Sequence, residues 1–426
     1  MPDGALYHKK VLKNGLTVLC VPIESASSVT MSVFVKAGSR YEEAKINGIS
    51  HFLEHLHFKG TKKFPTAKKL SETVDSIGGE FNANTGKEHT QYYIRAAYEH
   101  LQLVFDVLTE MIQNPLFDEK EIEREKGVIV EEINMYKDNP QIHVESLFEA
   151  TLWPNTPLGR DIAGEAPLIQ AMKRKDILDY RAKFYRPSNM IIAVSGKFDP
   201  KQLEDLVGKN WSHLNGKNSA TYDAIVYKQN APKLIVQNKV TEQAHMIVGF
   251  PAFSYRNKHN NTLRILTAVL GGGMSSRLFI RVRERMGLAY YVSASFNNYL
   301  DSGNFMVQAG LKVASAKSAL DIILEELRKV KKDGISNKEL IKAKEYIKGK
   351  IALAMEDPHD KLEWYLGQEA FIGKIRTIKQ AFVELDAVKL EQVSKIANDI
   401  IRNENLTMAL IGPFADKGEF EKRLKI

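Results

Sequence analysis

The feature that most limits what this chain can fold into is an internal repeat. Phe117-Asp118-Glu119-Lys120-Glu121-Ile122, running to Asp138-Asn139-Pro140, is echoed 218 positions later by Ile335-Ser336-Asn337-Lys338-Glu339-Leu340, running to Glu356-Asp357-Pro358. Asn189-Met190-Ile191-Ile192-Ala193-Val194-Ser195-Gly196 likewise matches Asn405-Leu406-Thr407-Met408-Ala409-Leu410-Ile411-Gly412. A solenoid would need more copies of a shorter unit, so the pattern reads as one domain of about 210 residues present twice. The expected division is 1–214 and 232–426, joined by a polar linker over 215–231 that contains Gly216, Asn218 and Ser219.

Within the first half, apolar residues change period several times. Asn14-Gly15 between Val11-Lys13 and Leu16-Leu19 predicts a hairpin with a type I′ turn. Val29–Val35 and Phe81–Ala96 read as strand, with Gly86-Lys87 as a possible turn in the second. Ile49–Phe58, Thr66–Ile77, Leu101–Ile112 and Glu119–Tyr136 read as helices. Strands interrupted by long helices give an α+β class, with a mostly antiparallel sheet packed with helices in each half.

Composition excludes several classes. At 44% hydrophobic residues over 426, the chain buries too much apolar surface to be disordered. No run of about 18 apolar residues occurs, so no membrane span or membrane partner is expected. Met1–Pro22 lacks an apolar signal region, and Cys20 alone forms no internal disulfide, so a cytoplasmic location is expected. The net charge of +8 is spread over scattered lysines without a nucleic-acid-binding motif, and no nucleic-acid partner is expected.

The chemistry concentrates at His51-Phe52-Leu53-Glu54-His55. On a helix, His51 and His55 lie one turn apart on one face with Glu54 beside them. Two imidazoles so spaced can approach one Zn²⁺, while the carboxylate remains available to take a proton from water. An open zinc site needs a third protein ligand. The helix Glu119–Tyr136 offers Glu121, Glu123, Glu125, Glu131 and Glu132, among which composition does not choose. Glu125 and Glu132, seven apart, share one face, and Glu131 points elsewhere. His57 reads as solvent-facing or as a hydrogen-bonding neighbour, and Trp153, Trp211 and Trp364 as packing residues.

With these residues in place, nearly the whole chain resembles the M16 (pitrilysin or insulinase) metallopeptidase family. The likeness is to the small-subunit branch that includes bacterial processing proteases and mitochondrial processing peptidase. Glu132 follows His55 after 76 intervening residues, at the position of the family's third zinc ligand. The resemblance implies a LuxS/MPP-like metallohydrolase fold and one Zn²⁺ per chain held by His51, His55 and Glu132. Glu54 would be the general base, and Glu125 would orient a ligand histidine. Phe81-Asn82-Ala83-Asn84-Thr85 is similar to the family's substrate-holding edge strand, with Asn82 and Ala83 aligning the peptide. Gly271-Gly272-Gly273 leads to Arg283 and Tyr290, which resemble the family's Arg/Tyr pair at the developing oxyanion. The segment equivalent to the zinc helix, Asn261–Leu270, contains no His or Glu, so only the first half is expected to hold metal.

The family likeness further implies an endopeptidase acting on extended or unfolded peptides inside a clamshell chamber. It also implies a homodimer in which Arg283 and Tyr290 act in trans, or a heterodimer with a paralogue. Two other readings are a non-catalytic structural subunit of the same fold and a peptide-binding module with structural zinc.

Overall fold

The computed structural model of the chain describes residues 7–216 and 221–426, so residues 217–220 of the expected linker lie outside the described residues. Among the described residues, eleven strands form two sheets. The first is ordered β1 (His8–Val11), β2 (Thr17–Pro22), β6 (Met190–Gly196), β3 (Ser28–Val35), β5 (Thr90–Ala97) and β4 (Glu80–Thr85). The second is ordered β7 (Lys233–Asn238), β11 (Thr407–Gly412), β8 (Gln243–Pro251), β10 (Gly303–Lys312) and β9 (Ala289–Asn298). All neighbours are antiparallel except β2–β6 and β11–β7. Removing β1 makes the two orders superimpose strand for strand, with β6 and β11 the strands of the sequence repeat. The expected α+β class of two like halves is the observed one.

The compact units differ from the contiguous halves expected at 1–214 and 232–426. One unit comprises residues up to 134, 160–223 and 353–375; the other comprises 135–159, 224–352 and 376–426. Each half therefore contributes one segment to the other's unit. The helix Pro140–Leu152 follows first-half sequence, yet its Val144, Phe148 and Leu152 pack with Ile247, Met306, Ala409 and Ile411 of the second sheet. The helix Pro358–Gly367 follows second-half sequence, and its Leu362, Tyr365 and Leu366 pack with Leu19, Val21, Phe34, Ile191 and Ala193 of the first. The repeated Asn139-Pro140 and Asp357-Pro358 are the starts of these exchanged helices. The Asn139 side chain accepts the Gln141 and Ile142 amides, that of Asp357 accepts the His359 amide, and each proline sits in the first turn.

The other face of each sheet is covered by that half's own helices. In the first unit, Val29, Met31, Val33 and Ile94 pack with Phe52, Leu53, Leu108 and Ile129. The second unit has an equivalent core around Val248, Phe250, Phe305, Leu266 and Leu324. The first hairpin is not the type I′ turn expected. Leu12 O accepts from the Gly15 amide at 2.9 Å, and Gly15 takes φ +90 while Asn14 does not adopt positive φ. A type I turn closed by a left-handed glycine lengthens the loop and moves the ladder to Val11↔Thr17. The stretch Phe81–Ala96, expected as strand, is the β4–β5 hairpin, with Gly86-Lys87 in its turn.

Because each exchanged helix is the cover of a foreign sheet face, cavities there should act on the recipient unit. Phe148→Ala is expected to cost about 3–5 kcal/mol and Leu362→Ala about 2–5 kcal/mol. Hydrogen exchange should show Phe148→Ala deprotecting β8 and β11, and Leu362→Ala deprotecting β2 and β6. Deprotection confined to the sheet of the donor half would contradict this exchange.

Candidate metal centre

The helix Ile49–Leu56 is anchored by its apolar side, where Ile49, Phe52, Leu53 and Leu56 are fully buried. Its N-terminus has no capping side chain, because Gly48 precedes it at φ +98. A Cβ there would lie 2.6 Å from the Ala163 carbonyl oxygen and 2.7 Å from Ile169 Cδ1, so glycine is required twice over. The missing cap is replaced from a distance. Glu42 Oε2 accepts the Gly48 amide and Asn47 Nδ2, and Oε1 accepts the Ser50 amide, each at 2.8 Å. An anion at a helix N-terminus also complements the macrodipole. Full burial still lifts the Glu42 carboxyl above its ordinary range despite these donors.

The helix Glu119–Asp138 presents Ile122, Glu125, Ile129 and Ile133 as its buried stripe. Glu125 is thus held among apolar residues, with Glu132 next to Ile133, while Glu131 is exposed and Val128 is turned to solvent. Two helices then bring three donor groups together. His51 Nε2 and His55 Nε2 are 3.2 Å apart. Glu132 Oε2 lies 3.4 Å from His55 Nε2 and 3.7 Å from His51 Nε2. A tetrahedral ion with bonds of 2.0–2.1 Å has neighbouring donors about 3.3 Å apart. The donor set, two imidazoles and one carboxylate, also suits zinc, so His51, His55 and Glu132 fit one such ion.

Around this triangle each partner has a distinct task. Glu125 Oε1 accepts from His55 Nδ1 at 2.8 Å, which assigns that ring's proton to Nδ1 and presents Nε2 as a lone pair. Glu125 Oε2 is 2.7 Å from Lys59 Nζ. His51 Nδ1 is buried and has no hydrogen-bond partner among the described residues. Glu54 is buried, and its Oε2 accepts from Thr85 Oγ1 at 2.5 Å, tying it to the last residue of β4.

Without metal, these groups titrate in opposite senses. Burial, then the nearby His55, pushes His51 down to about 4. Burial also disfavours a charged His55, but its bond to Glu125 and the charges of Glu54 and Glu132 prevail and raise it. Glu54 is raised by burial, only partly offset by Thr85 and His55. Glu125 is buried too, yet hydrogen bonds from His55 and Lys59 bring it below the carboxylate range.

The remaining expected residues fall in several places. Asn82 and Ala83 lie on β4, which ends the first sheet, and Asn82 Oδ1 accepts the Ala83 amide at 2.8 Å. Arg283 is exposed in a π-helical turn of the second unit, with its guanidinium carbon 4.9 Å from the Phe279 ring centre. Tyr290, also in the second unit, is 51% exposed and is skipped in the register between Ala289↔Leu311 and Tyr291↔Gly310. Such a bulge redirects a side chain. The helix Asn260–Gly271 contains neither His nor Glu, and Gly271 ends it. His57 is not solvent-facing: it is fully buried, hydrogen-bonds through Nδ1 to Leu53 O at 2.8 Å and stacks on Tyr185.

Comparison with known proteins points the same way. Residues 17–166 match the model of "Insulinase (Peptidase family M16)", and 171–347 match that of "Peptidase M16 inactive domain". The "uncharacterized zinc protease YmxG" of Bacillus subtilis is 36% identical over 401 residues, 94% of this chain and 97% of that protein. The chain belongs to the M16 peptidase family. An "uncharacterized zinc protease" of Rickettsia felis is 34% identical over 94% of this M16 chain and 96% of its own length. Among solved structures, a protease from Helicobacter pylori has a TM-score of 0.88 at 25% identity, covering 96% of this chain and 99% of its own. A "peptidase M16 inactive domain" from Pseudomonas fluorescens shares the fold, with a TM-score of 0.88 at 17% identity and coverage of 96% and 98%.

Three contributors escaped sequence reasoning. Glu42 and Thr85 reach the helix Ile49–Leu56 through tertiary contacts that no local pattern encodes. Lys59 does carry a signal, since it lies four residues beyond His55, but a lysine there ordinarily reads as solvated.

Burial pushes the His57 imidazole down to about 3. Above about pH 6.5 neither folded nor unfolded protein protonates it. Below that, the unfolded chain takes up a proton that the folded one refuses, so stability falls with pH until about 3. This group alone contributes up to about 1.4 kcal/mol per pH unit. In urea titrations of chelator-treated protein between pH 7.5 and 5, His57→Gln should lose that part of the slope; identical slopes would refute the assignment.

Proposed function

We propose that this M16 chain is a zinc-dependent endopeptidase for extended or unfolded peptides, with Glu54 as its general base. The observation that carries the reading is the convergence of the His51, His55 and Glu132 donor atoms within 4.8 Å, with Glu54 on the same helix. Zinc, when bound, supplies Lewis acidity toward a water and a peptide carbonyl. His51, His55 and Glu132 hold the ion, and Glu125 keeps the His55 ring turned toward it. Thr85 occupies Glu54 Oε2 and leaves Oε1 to accept a proton from the attacking water. The upward shift of Glu54 makes it a stronger base than an exposed carboxylate. The free edge of β4 at Asn82 and Ala83 suits main-chain pairing with an extended peptide, which must displace the Asn82 oxygen from the Ala83 amide.

Three protein donors leave a coordination position open, which supports catalysis over a purely structural zinc with four ligands. All the residues that fit the family's ligand and base positions are present, which weighs against a non-catalytic subunit. We further propose a homodimer in which Arg283 and Tyr290 of one chain act at the other chain's zinc, since the second half carries no metal motif of its own; a paralogous partner would serve the same geometry. A cytoplasmic location accords with the single buried Cys20 and with the lack, among the described residues, of a helix long and apolar enough to cross a membrane.

Glu54→Gln should keep stoichiometric zinc and lose at least about a hundredfold in turnover of a quenched fluorescent peptide. His55→Ala should lose both zinc and activity. Zinc analysis beside the peptide assay tests both, and an active Glu54→Gln protein would refute the base assignment. Mixing Glu54→Gln with Arg283→Ala chains should restore activity that neither has alone. No recovery would count against action in trans.

A further inference from the structure

We infer that Lys59 is a positioning residue for the metal, acting through Glu125 on His55; the inference rests on the zinc reading above. Its ammonium is 2.7 Å from Glu125 Oε2, while Glu125 Oε1 holds His55 Nδ1 at 2.8 Å. Both oxygens of a carboxylate that is 2% exposed are therefore taken by groups four residues apart in sequence. His51, His55 and Lys59 recur every four residues, the lysine lying three residues past the end of the helix at Leu56. Their partners run the other way along the second helix, from Glu132 for His51 to Glu125 for Lys59.

The geometry makes the ammonium the outer end of a three-member chain. A carboxylate held only by His55 could rotate about its terminal torsion, and the imidazole that depends on it would lose its fixed direction. With Lys59 on the second oxygen, the plane of the carboxylate is fixed at both ends, and so is the line of the His55 Nε2 lone pair. The ammonium also places a positive charge beside a buried carboxylate, close to a site that already contains Glu54 and Glu132. Lys59 touches neither the three donor atoms nor Glu54, so its effect must pass through Glu125. His51 has no equivalent support, since its Nδ1 has no partner among the described residues. The affinity of the site should accordingly depend on the His55 arm.

The test is zinc affinity, measured by competition with a chromophoric chelator and independent of turnover. Lys59→Met should weaken zinc roughly 10- to 100-fold, the range for loss of a group that orients a ligand. Lys59→Arg, which preserves the charge and a donor, should stay within about threefold of the parent. Glu125→Gln should also weaken zinc, and adding Lys59→Met to it should cause no further loss, because the chain is already cut. Thermal unfolding of the zinc-free proteins reports on the fold separately, and Lys59→Gln serves if the methionine variant does not fold. Parent-like zinc affinity in Lys59→Met, or losses that multiply in the double variant, would overturn the inference and leave the zinc reading intact. Parent-like affinity in His55→Ala would instead overturn the zinc reading itself.

Discussion

The proposed chemistry rests on one polar seam, lined by the helices Ile49–Leu56 and Glu119–Asp138 and by Lys59 just past the end of the first. His51, His55 and Lys59 face Glu132 and Glu125 across it, inside an apolar surround of Phe52, Leu53, Leu56, Ile122, Ile129 and Ile133. Such groups are costly to bury unless each is matched. Packing on both sides of the seam turns the four-residue spacing of His51 and His55, with Glu132 from the facing helix, into a triangle of donors, while Glu125, seven residues before Glu132, meets the other nitrogen of His55. Glu42 serves the same end from the other direction. By capping the helix Ile49–Leu56 where Gly48 has no side chain to offer, it fixes the depth at which His51 enters the seam.

The second half shows how little of the scaffold the chemistry needs. Its sheet repeats the first in strand order, and β9 occupies the edge that β4 occupies in the other sheet. Yet its helix Asn260–Gly271 is lined by Leu263, Leu266 and Leu270, and those contacts require no polar group. One topology thus supports a donor triangle in one copy and a largely apolar helix without His or Glu in the other, which is why function must be argued from side chains and not from the fold. Because Pro140–Leu152 and Pro358–Gly367 are exchanged, neither sheet has both faces covered without sequence from the other half.

Much of this was legible in the sequence wherever the information is local. The His51/His55 spacing is a property of one helical turn, and the duplication shows in two matched stretches, 117–140 with 335–358 and 189–196 with 405–412. What was illegible is non-local. An apolar face such as that of Val144, Phe148 and Leu152 specifies that the helix is covered, not which sheet covers it, and so the unit boundaries were misplaced. Composition left five glutamates as candidate third ligands. Spacing places Glu125 and Glu132 on one face and the family resemblance points to Glu132; in the structure Glu125 is in the buried stripe and Glu132 is half-buried beside Ile133, near both histidines. Asn14-Gly15 misled for a smaller reason: the glycine takes the left-handed conformation, but the turn holds one more residue than a two-residue loop allows.

Glu54 and Glu125 show how environment divides labour between identical side chains. Both are buried and both lie beside His55, yet they are driven in opposite directions. Glu54 has one neutral hydroxyl donor, so desolvation dominates and its carboxyl holds a proton more readily than usual. Glu125 receives an imidazole N–H and an ammonium, so its charged form is favoured even under burial. Under the proposed function, a group that takes up a proton and a group that stays charged are thereby set apart without any difference in chemistry. Reversing their partners, with the ammonium beside Glu54, would depress the proposed base and release the carboxylate that steers His55. The position of a single lysine, four residues past the second histidine, therefore bears on which glutamate suits the proposed acceptor and which the support.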